Sequence, residues 1–108
     1  MKNTSDLPSP LEEVTRPPIL TSFRAIKTRQ TVVKVLSADI GMRVLTVESR
    51  GQRCTVIVSM PLRKSLLNYM KNKEPDLTEE SMVGLLLEAV SARNETFFRW
   101  EVKGRDNG

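Results

Sequence analysis

A predicted β-hairpin is the feature that most restricts the fold of this chain. Two stretches with alternating apolar and polar residues, 43–49 and 52–60, flank the dipeptide Arg50-Gly51. A period of two residues is that of a β-strand, and a short loop containing glycine is typical of a tight hairpin turn. The side chains expected to point toward the core are Leu45, Val47, Cys54, Val56, Val58 and Met60.

Further elements are predicted on both sides of the hairpin. β-branched residues dominate 32–36, so 23–36 is predicted to form one long strand or two collinear strands, followed by a turn at 39–41. Pro61 ends the hairpin and is well placed to begin a helix. The apolar stripe of that amphipathic helix consists of Leu62, Leu66, Tyr69 and Met70. A final strand over 96–103 is expected to bury Phe98, Trp100 and Val102.

The stretch between helix and final strand has two interpretations. Asp76 and Glu79 resemble a capping box, and the spacing of the apolar residues after them favours a helix over 78–92. Gly84 lies in the middle of that helix, however, and 83–90 fits a buried strand equally well.

Length and composition indicate one domain. The 108 residues are expected to form a disordered Pro-rich arm (1–19, with four of the six prolines), a single domain over 20–104 and a flexible tail at 105–108. No apolar run approaches the roughly 20 residues that span a bilayer, and the N-terminus lacks a signal-like apolar segment. With the lone Cys54, this predicts an intracellular protein, in cytoplasm or nucleus, without membrane contact.

The residue types that are missing argue against catalysis. The chain has no histidine, which removes the commonest general base and the usual zinc ligand. None of the phosphate-binding or nucleophile motifs occurs among its five glycines. The sequence therefore predicts a protein that is not an enzyme and needs neither cofactor nor metal.

If 83–90 is a strand, the predicted order of elements along the chain is strand, strand, strand, helix, strand, strand. This order resembles the OB-fold, a mostly β five-stranded Greek-key barrel with a helix between its third and fourth strands. The resemblance covers about 23–103 and lies in element order alone. It implies binding of single-stranded nucleic acid across the second and third strands. If 78–92 is instead helical, the chain is an α+β domain with a meander sheet and two helices.

The distribution of charge agrees with a polyanionic partner. Residues 20–73 carry eleven Lys and Arg against two acids, a net +9, whereas 1–19 carry a net −1 and 74–108 a net −4. Such a basic surface attracts nucleic acid. Basic and polar residues of the first strands and the outward residues of the last strand are the expected contacts: Arg24, Lys27, Arg29, Lys34, Arg50, Arg53, Thr55, Phe97 and Arg99.

The low aromatic content limits how many bases such a protein could bind by stacking. Single-strand binders stack bases on aromatic rings, but this chain has five aromatic residues, and Phe97 is the one expected to point outward. An electrostatic binder of low specificity fits better than a base reader. The alternative is a small protein-interaction or assembly subunit, or a regulator of a nucleic-acid-processing complex. Its contacts, including self-association, would use the acidic 74–108 segment, Ile57 or the Pro-rich arm.

Overall fold

The computed structural model describes residues 17–93 and 96–105, and the described part is mostly β, as predicted. Five antiparallel strands form one open sheet in the order β3-β2-β1-β4-β5, accompanied by two helices. In chain order the elements are α1 (Ser22–Lys27), β1 (Val32–Asp39), β2 (Val44–Ser49), β3 (Gln52–Ile57), α2 (Met60–Asn72), a 3₁₀ turn (Glu80–Met82), β4 (Leu85–Ala92) and β5 (Phe97–Arg105).

The core lies on one face of the sheet and is closed by the helices. Alternate residues of all five strands point into it, as period-two patterning requires. The buried side chains that form it include Val33, Val35, Leu45, Val47, Val56, Leu85, Leu87 and Trp100 from the strands, with Ala25 from α1 and Leu62 and Leu66 from α2. The other face of the sheet is called the outer face below.

The predicted hairpin is confirmed. β2 and β3 pair in register from Val44↔Ile57 to Ser49↔Gln52, which leaves Arg50 and Gly51 as a two-residue loop. Both loop residues have positive φ, 54° and 79°, the combination of a type I′ turn, whose twist matches that of the strands. Of the predicted inward residues, Met60 is the exception: it is 64% exposed, because the helix begins there instead of after it.

The predicted strand over 23–36 is wrong in its first half, where the chain forms the short helix α1. The Thr21 hydroxyl accepts a hydrogen bond from the Arg24 N–H (3.1 Å) and so caps the helix N-terminus. At the other end the Thr28 hydroxyl donates to the Arg24 carbonyl (2.8 Å). Local capping and the burial of Ala25 therefore outweigh the strand propensity of this stretch.

The helical interpretation of 78–92 is also wrong, and the strand interpretation is confirmed. Thr78 and Ser81 exchange hydrogen bonds around a single turn, so the helix does not continue past Met82. Gly84, with φ of 96°, redirects the chain into β4. β4 is then paired on both sides, with β1 and with β5, and this tertiary pairing overrides helix propensity.

A short N-terminal segment connects the two outermost strands. The Thr55 N–H donates to the Pro18 carbonyl (2.7 Å), and the Leu20 N–H donates to the Thr55 carbonyl (2.8 Å), so Pro18–Leu20 runs parallel to β3. The Leu20 carbonyl in turn accepts from the Trp100 indole of β5. Residues 17–19, which the sequence analysis places in the arm, are thus held against β3 by hydrogen bonds, whereas 1–16 lie outside the described residues.

Helix α2 follows the predicted pattern. Leu62 and Leu66 are buried, and Tyr69 and Met70 are partly buried, so the stripe expected from the sequence is the face that packs. The Ser65 hydroxyl accepts a hydrogen bond from the Val102 N–H (2.8 Å), which fixes α2 against β5.

Candidate nucleic-acid interface

Six basic residues gather at one end of the sheet. Because neighbouring strands are antiparallel, the start of β1, the β2–β3 turn and the β4–β5 loop lie at the same end, and α1 leads into it. We call this region the basic end. Its members are Arg24, Lys27, Arg29, Arg50, Arg53 and Arg93, all of which are exposed.

Arg50 fixes the geometry of the basic end. Its Nη2 atom donates to the carbonyl oxygens of Thr28 (3.1 Å) and Arg29 (2.8 Å), which belong to the turn after α1. Next to this contact, the buried Ser49 hydroxyl donates to the Gln30 side chain at 2.7 Å. These hydrogen bonds hold the hairpin turn against the α1–β1 turn, so the cations of two distant chain segments become neighbours.

The charges of the basic end have few acidic partners. The two ion pairs recorded between described residues, Arg99–Glu101 (2.6 Å) and Arg105–Glu74 (2.7 Å), involve none of its six members. Two acids of the sheet lie toward this end: Glu48, opposite Arg53 across the β2–β3 ladder, and Glu88, opposite Val32 at the start of β1. The end therefore has a strong positive potential, which favours polyanions.

Two exposed aromatic rings accompany these cations. Phe23 on α1 is 49% exposed, packs edge-to-face on Phe98 (centroids 5.0 Å apart) and has the Lys27 ammonium 5.4 Å from its ring centroid. Phe97 is 55% exposed, with the Arg93 guanidinium 5.2 Å from its centroid. Since consecutive residues of a strand alternate, Phe23 and Phe97 lie on opposite sides of β5.

The outer face of the sheet is not uniformly basic, contrary to what the sequence suggests. Lys34, Glu48 and Arg53 form one row across β1, β2 and β3, so a carboxylate stands between the two cations. On β4 and β5, Glu88 lies opposite Glu101, and Arg99 is paired with that second carboxylate. The face is therefore close to electrically balanced.

The orientation predicted for Thr55 is correct, but its predicted availability for binding is wrong. Its side chain does lie on the outer face, but it is 5% exposed, because Pro17–Leu20 covers it. The Thr55 hydroxyl donates to the Pro17 carbonyl at 2.9 Å, so its hydrogen-bonding capacity is used inside the fold.

The nine residues predicted from the sequence thus separate into three groups. Arg24, Lys27, Arg29, Arg50 and Arg53 come together at the basic end, although the first three lie on α1 and its following turn and not on a strand, as had been expected. Phe97 lies beside the β4–β5 loop at the same end. Lys34 and Arg99 lie on the outer face near carboxylates, and Thr55 is buried.

Sequence reasoning missed two residues of this region, Arg93 and Phe23. Arg93 has a φ of 54° and occupies the turn between β4 and β5, which placed it outside the strand pattern. Phe23 was counted as part of a strand. The Thr21-Ser22 pair in front of it, a common helix N-terminal signal, would have indicated a helix instead.

A second polar cluster at the far end of β5 has a structural role. Arg105 binds the Glu74 carboxylate through two nitrogen atoms (2.7 Å each) and also donates to the carbonyls of Ser81 and Val83. The Tyr69 hydroxyl donates to the same carboxylate. The Arg105 bonds, followed by that from Tyr69, lower the pKa of Glu74 to about 2, whereas burial is the main cause that raises the pKa of Tyr69.

Residues 17–93 and 96–105, the part that the structure describes, contain neither a cluster of metal-ligating side chains nor a membrane-spanning helix. In that part of the chain, no three His, Cys, Asp or Glu side chains come together as a metal site would require. None of the helices there has the length and apolar character needed to cross a lipid bilayer.

No family model, no curated protein and no solved structure matches this chain.

Proposed function

We propose that this chain is a nucleic-acid-binding domain that holds single strands at its basic end, by binding and not by catalysis. One contact carries most weight: the hydrogen bonds from Arg50 to the carbonyls of Thr28 and Arg29. They hold the α1–β1 turn against the hairpin turn, so the backbone positions that carry the cations of both segments are fixed relative to each other. A backbone that is already in place does not have to be ordered when phosphates bind.

The topology supports an OB-type domain as the scaffold. An OB-fold is a partly open five-stranded Greek-key barrel, and this chain likewise has five strands whose sheet order, β3-β2-β1-β4-β5, differs from their order along the chain. Helix α2 stands between β3 and β4, where the OB-fold has its helix. Barrel closure would require β3 and β5 to approach each other, and Pro18–Leu20 with Trp100 links these strands.

Single strands are the favoured partner because exposed rings accompany the cations. Stacking of one base on an aromatic side chain contributes about 1–3 kcal/mol, and duplex DNA offers no free base faces. Phe23 and Phe97, each beside a cation, are suited to such stacking. The cations would contact phosphates, which carry no sequence information, so low sequence specificity is expected.

The experiment is a binding titration by fluorescence anisotropy. Labelled single-stranded DNA, single-stranded RNA and duplex DNA are each titrated with the full chain at about 50 and 200 mM salt. Single strands are expected to bind more tightly than duplex. If about six phosphates are contacted, affinity should fall by roughly 10²- to 10³-fold over this range. Undetectable binding at the lower salt concentration contradicts the proposal.

Matched variants locate the binding surface. Arg24→Gln with Arg53→Gln removes two charges from the basic end, while Lys64→Gln with Lys71→Gln removes two exposed charges from α2. The first pair is expected to reduce the salt slope by about 1.4, and the second to leave it unchanged. Arg50 is left intact because its side chain supports the fold. Equal effects of the two pairs would mean that net charge, not this site, attracts the polymer.

A further inference from the structure

An apolar groove lies at the end of the sheet opposite the basic end. The β1–β2 turn, the start of α2 and the 77–82 segment meet there around a cavity of about 480 Å³. Several large apolar side chains at the groove are strongly exposed: Ile40 (42%), Leu67 (54%) and Met60 (64%). A contiguous exposed apolar surface in a folded domain commonly marks an interaction site.

The charges at the groove define the partner's chemistry. Two arginines, Arg43 and Arg63, lie along it, and both are exposed. The one carboxylate in its lining, Glu79, accepts a hydrogen bond from the Ile40 N–H at 2.7 Å. This acid therefore holds the β1–β2 turn in place, and the two guanidinium groups favour an occupant that brings carboxylates.

Methionine side chains provide much of the apolar lining. Met60, Met70 and Met82, three of the five methionines of the chain, line the groove; Met60 is exposed, Met70 is partly buried, and Met82 is buried beneath them. Methionine is unbranched and polarisable, so a surface rich in it adapts to apolar side chains of different shape. Grooves of this kind bind amphipathic peptides, whose apolar residues enter while their polar residues stay in solvent.

We infer that this groove binds a short amphipathic segment of a partner protein, with two or three large apolar side chains flanked by Asp or Glu. The apolar side chains occupy the space between Met60, Leu67 and Met82. The flanking carboxylates pair with Arg43 and Arg63. The groove and the basic end are at opposite ends of the strands, so this site is spatially separate from the proposed nucleic-acid interface.

The inference can be tested by phage display. A library of random peptides of about twelve residues is selected for binding to the immobilised full-length chain. The enriched sequences are then synthesised with a fluorophore, and their affinities are measured by polarisation. Enrichment of peptides that combine at least two of Leu, Ile, Phe, Met or Trp with at least two acids is expected. Selection of no common class, or of basic peptides, overturns the inference.

Matched charge variants on α2 assign the peptides to the groove. Leu67→Glu and Arg63→Glu place a negative charge in it, and about tenfold or greater weakening of the selected peptides is expected. Asn68→Glu and Lys64→Glu, one position further along the helix and outside the groove, are the controls and should have little effect. Circular dichroism verifies that all four variants fold. Equal binding to the groove variants and the controls overturns the inference.

Two other occupants of the groove would give different results. If a second copy of this chain fills it, sedimentation shows a dimer that Leu67→Glu dissociates, while selected peptides bind only as the dimer is diluted. If residues 1–16 of the same chain fill it, added peptides compete poorly with the full chain, and a synthetic 1–16 peptide binds in a Leu67-dependent manner. Either result overturns the assignment to a partner protein.

Discussion

The indole N–H of Trp100 donates a hydrogen bond to the carbonyl oxygen of Leu20, 80 residues earlier, with 3.3 Å between the two heavy atoms. The Leu20 N–H is itself bonded to Thr55 of β3. One residue of the N-terminal segment therefore links the outermost strands, and Trp100 is 4% exposed at the contact. Since the carbonyl is enclosed by packed side chains, water replaces this donor poorly.

Trp100→Phe is expected to destabilise the domain. The substitution keeps an aromatic ring but removes the donor, and a buried carbonyl left unsatisfied costs about 1–3 kcal/mol. Urea unfolding followed by circular dichroism measures the loss. Phe98→Leu is the control on the same strand, because it removes a half-buried ring but no hydrogen-bond donor. A Trp100→Phe domain as stable as the wild type would show that the bond contributes nothing.

Gly51→Ala is expected to weaken the hairpin, whereas Gly41→Ala is not. Gly51 has a φ of 79°, which strains any residue with a Cβ atom, although no atom would obstruct that Cβ. The expected loss of unfolding free energy is about 1 kcal/mol. At Gly41 the φ lies outside the strained region, and an added Cβ would meet only Asp39 at an ordinary 3.6 Å. Thermal unfolding compares the two, and equal losses would contradict the turn assignment.

Removing the exposed rings tests whether bases stack at the basic end. Phe97→Ala and Phe23→Leu are each expected to weaken single-strand binding by about 1–3 kcal/mol, or roughly 5- to 150-fold. The salt slope should stay constant, because no charge is lost. Met42→Ala, a 65% exposed apolar residue in the β1–β2 turn, is the control. Anisotropy titrations at several salt concentrations give the affinity and the salt slope. Unchanged affinity in both ring variants would show that binding rests on phosphate contacts alone.

At low pH the domain should lose part of the stability that Glu74 contributes through its hydrogen bonds with Arg105 and Tyr69. The carboxylate has a folded-state pKa of about 2 against an ordinary value of 4.5, so its contribution is complete above 4.5 and is lost as pH falls toward 2. The stability difference between wild type and Glu74→Gln is therefore expected to be constant above about pH 5 and to shrink below it. Urea unfolding monitored by Trp100 fluorescence from pH 2.5 to 7 measures this. Parallel pH profiles for the two proteins would contradict the assignment.

The elements that the sequence predicts well are those set by local patterning. The β2–β3 hairpin needs only alternation around Arg50-Gly51, and the α2 stripe needs only helical spacing. β4 is different. Its residues have helical and strand spacing at once, and pairing with β1 and β5, which no local rule contains, decides between them.

The sequence predicts many of the residues at the candidate interface, but it does not predict how they are arranged. Lys34 and Arg53 have a carboxylate between them only because the strand register places Glu48 there. Thr55 is buried only because a segment more than 30 residues earlier lies over it. Conversely, Arg29 and Arg50 become neighbours through hydrogen bonds between two turns. Such long-range relationships cannot be obtained from residue order alone.

The hydrogen bonds of the outermost strands also affect how this chain behaves among its own copies. Unpaired N–H and C=O groups on such a strand are a template on which another molecule can add, and sheets aggregate in this way. On β3, the backbone N–H and C=O of Thr55 are hydrogen-bonded to Pro18 and Leu20. Pro18 has no N–H that a strand of another molecule could use. On β5, the Ser65 hydroxyl occupies the N–H of Val102. The N-terminal segment and α2 thus occupy backbone groups in the middle of both outermost strands, which hinders the addition of a further strand at these positions.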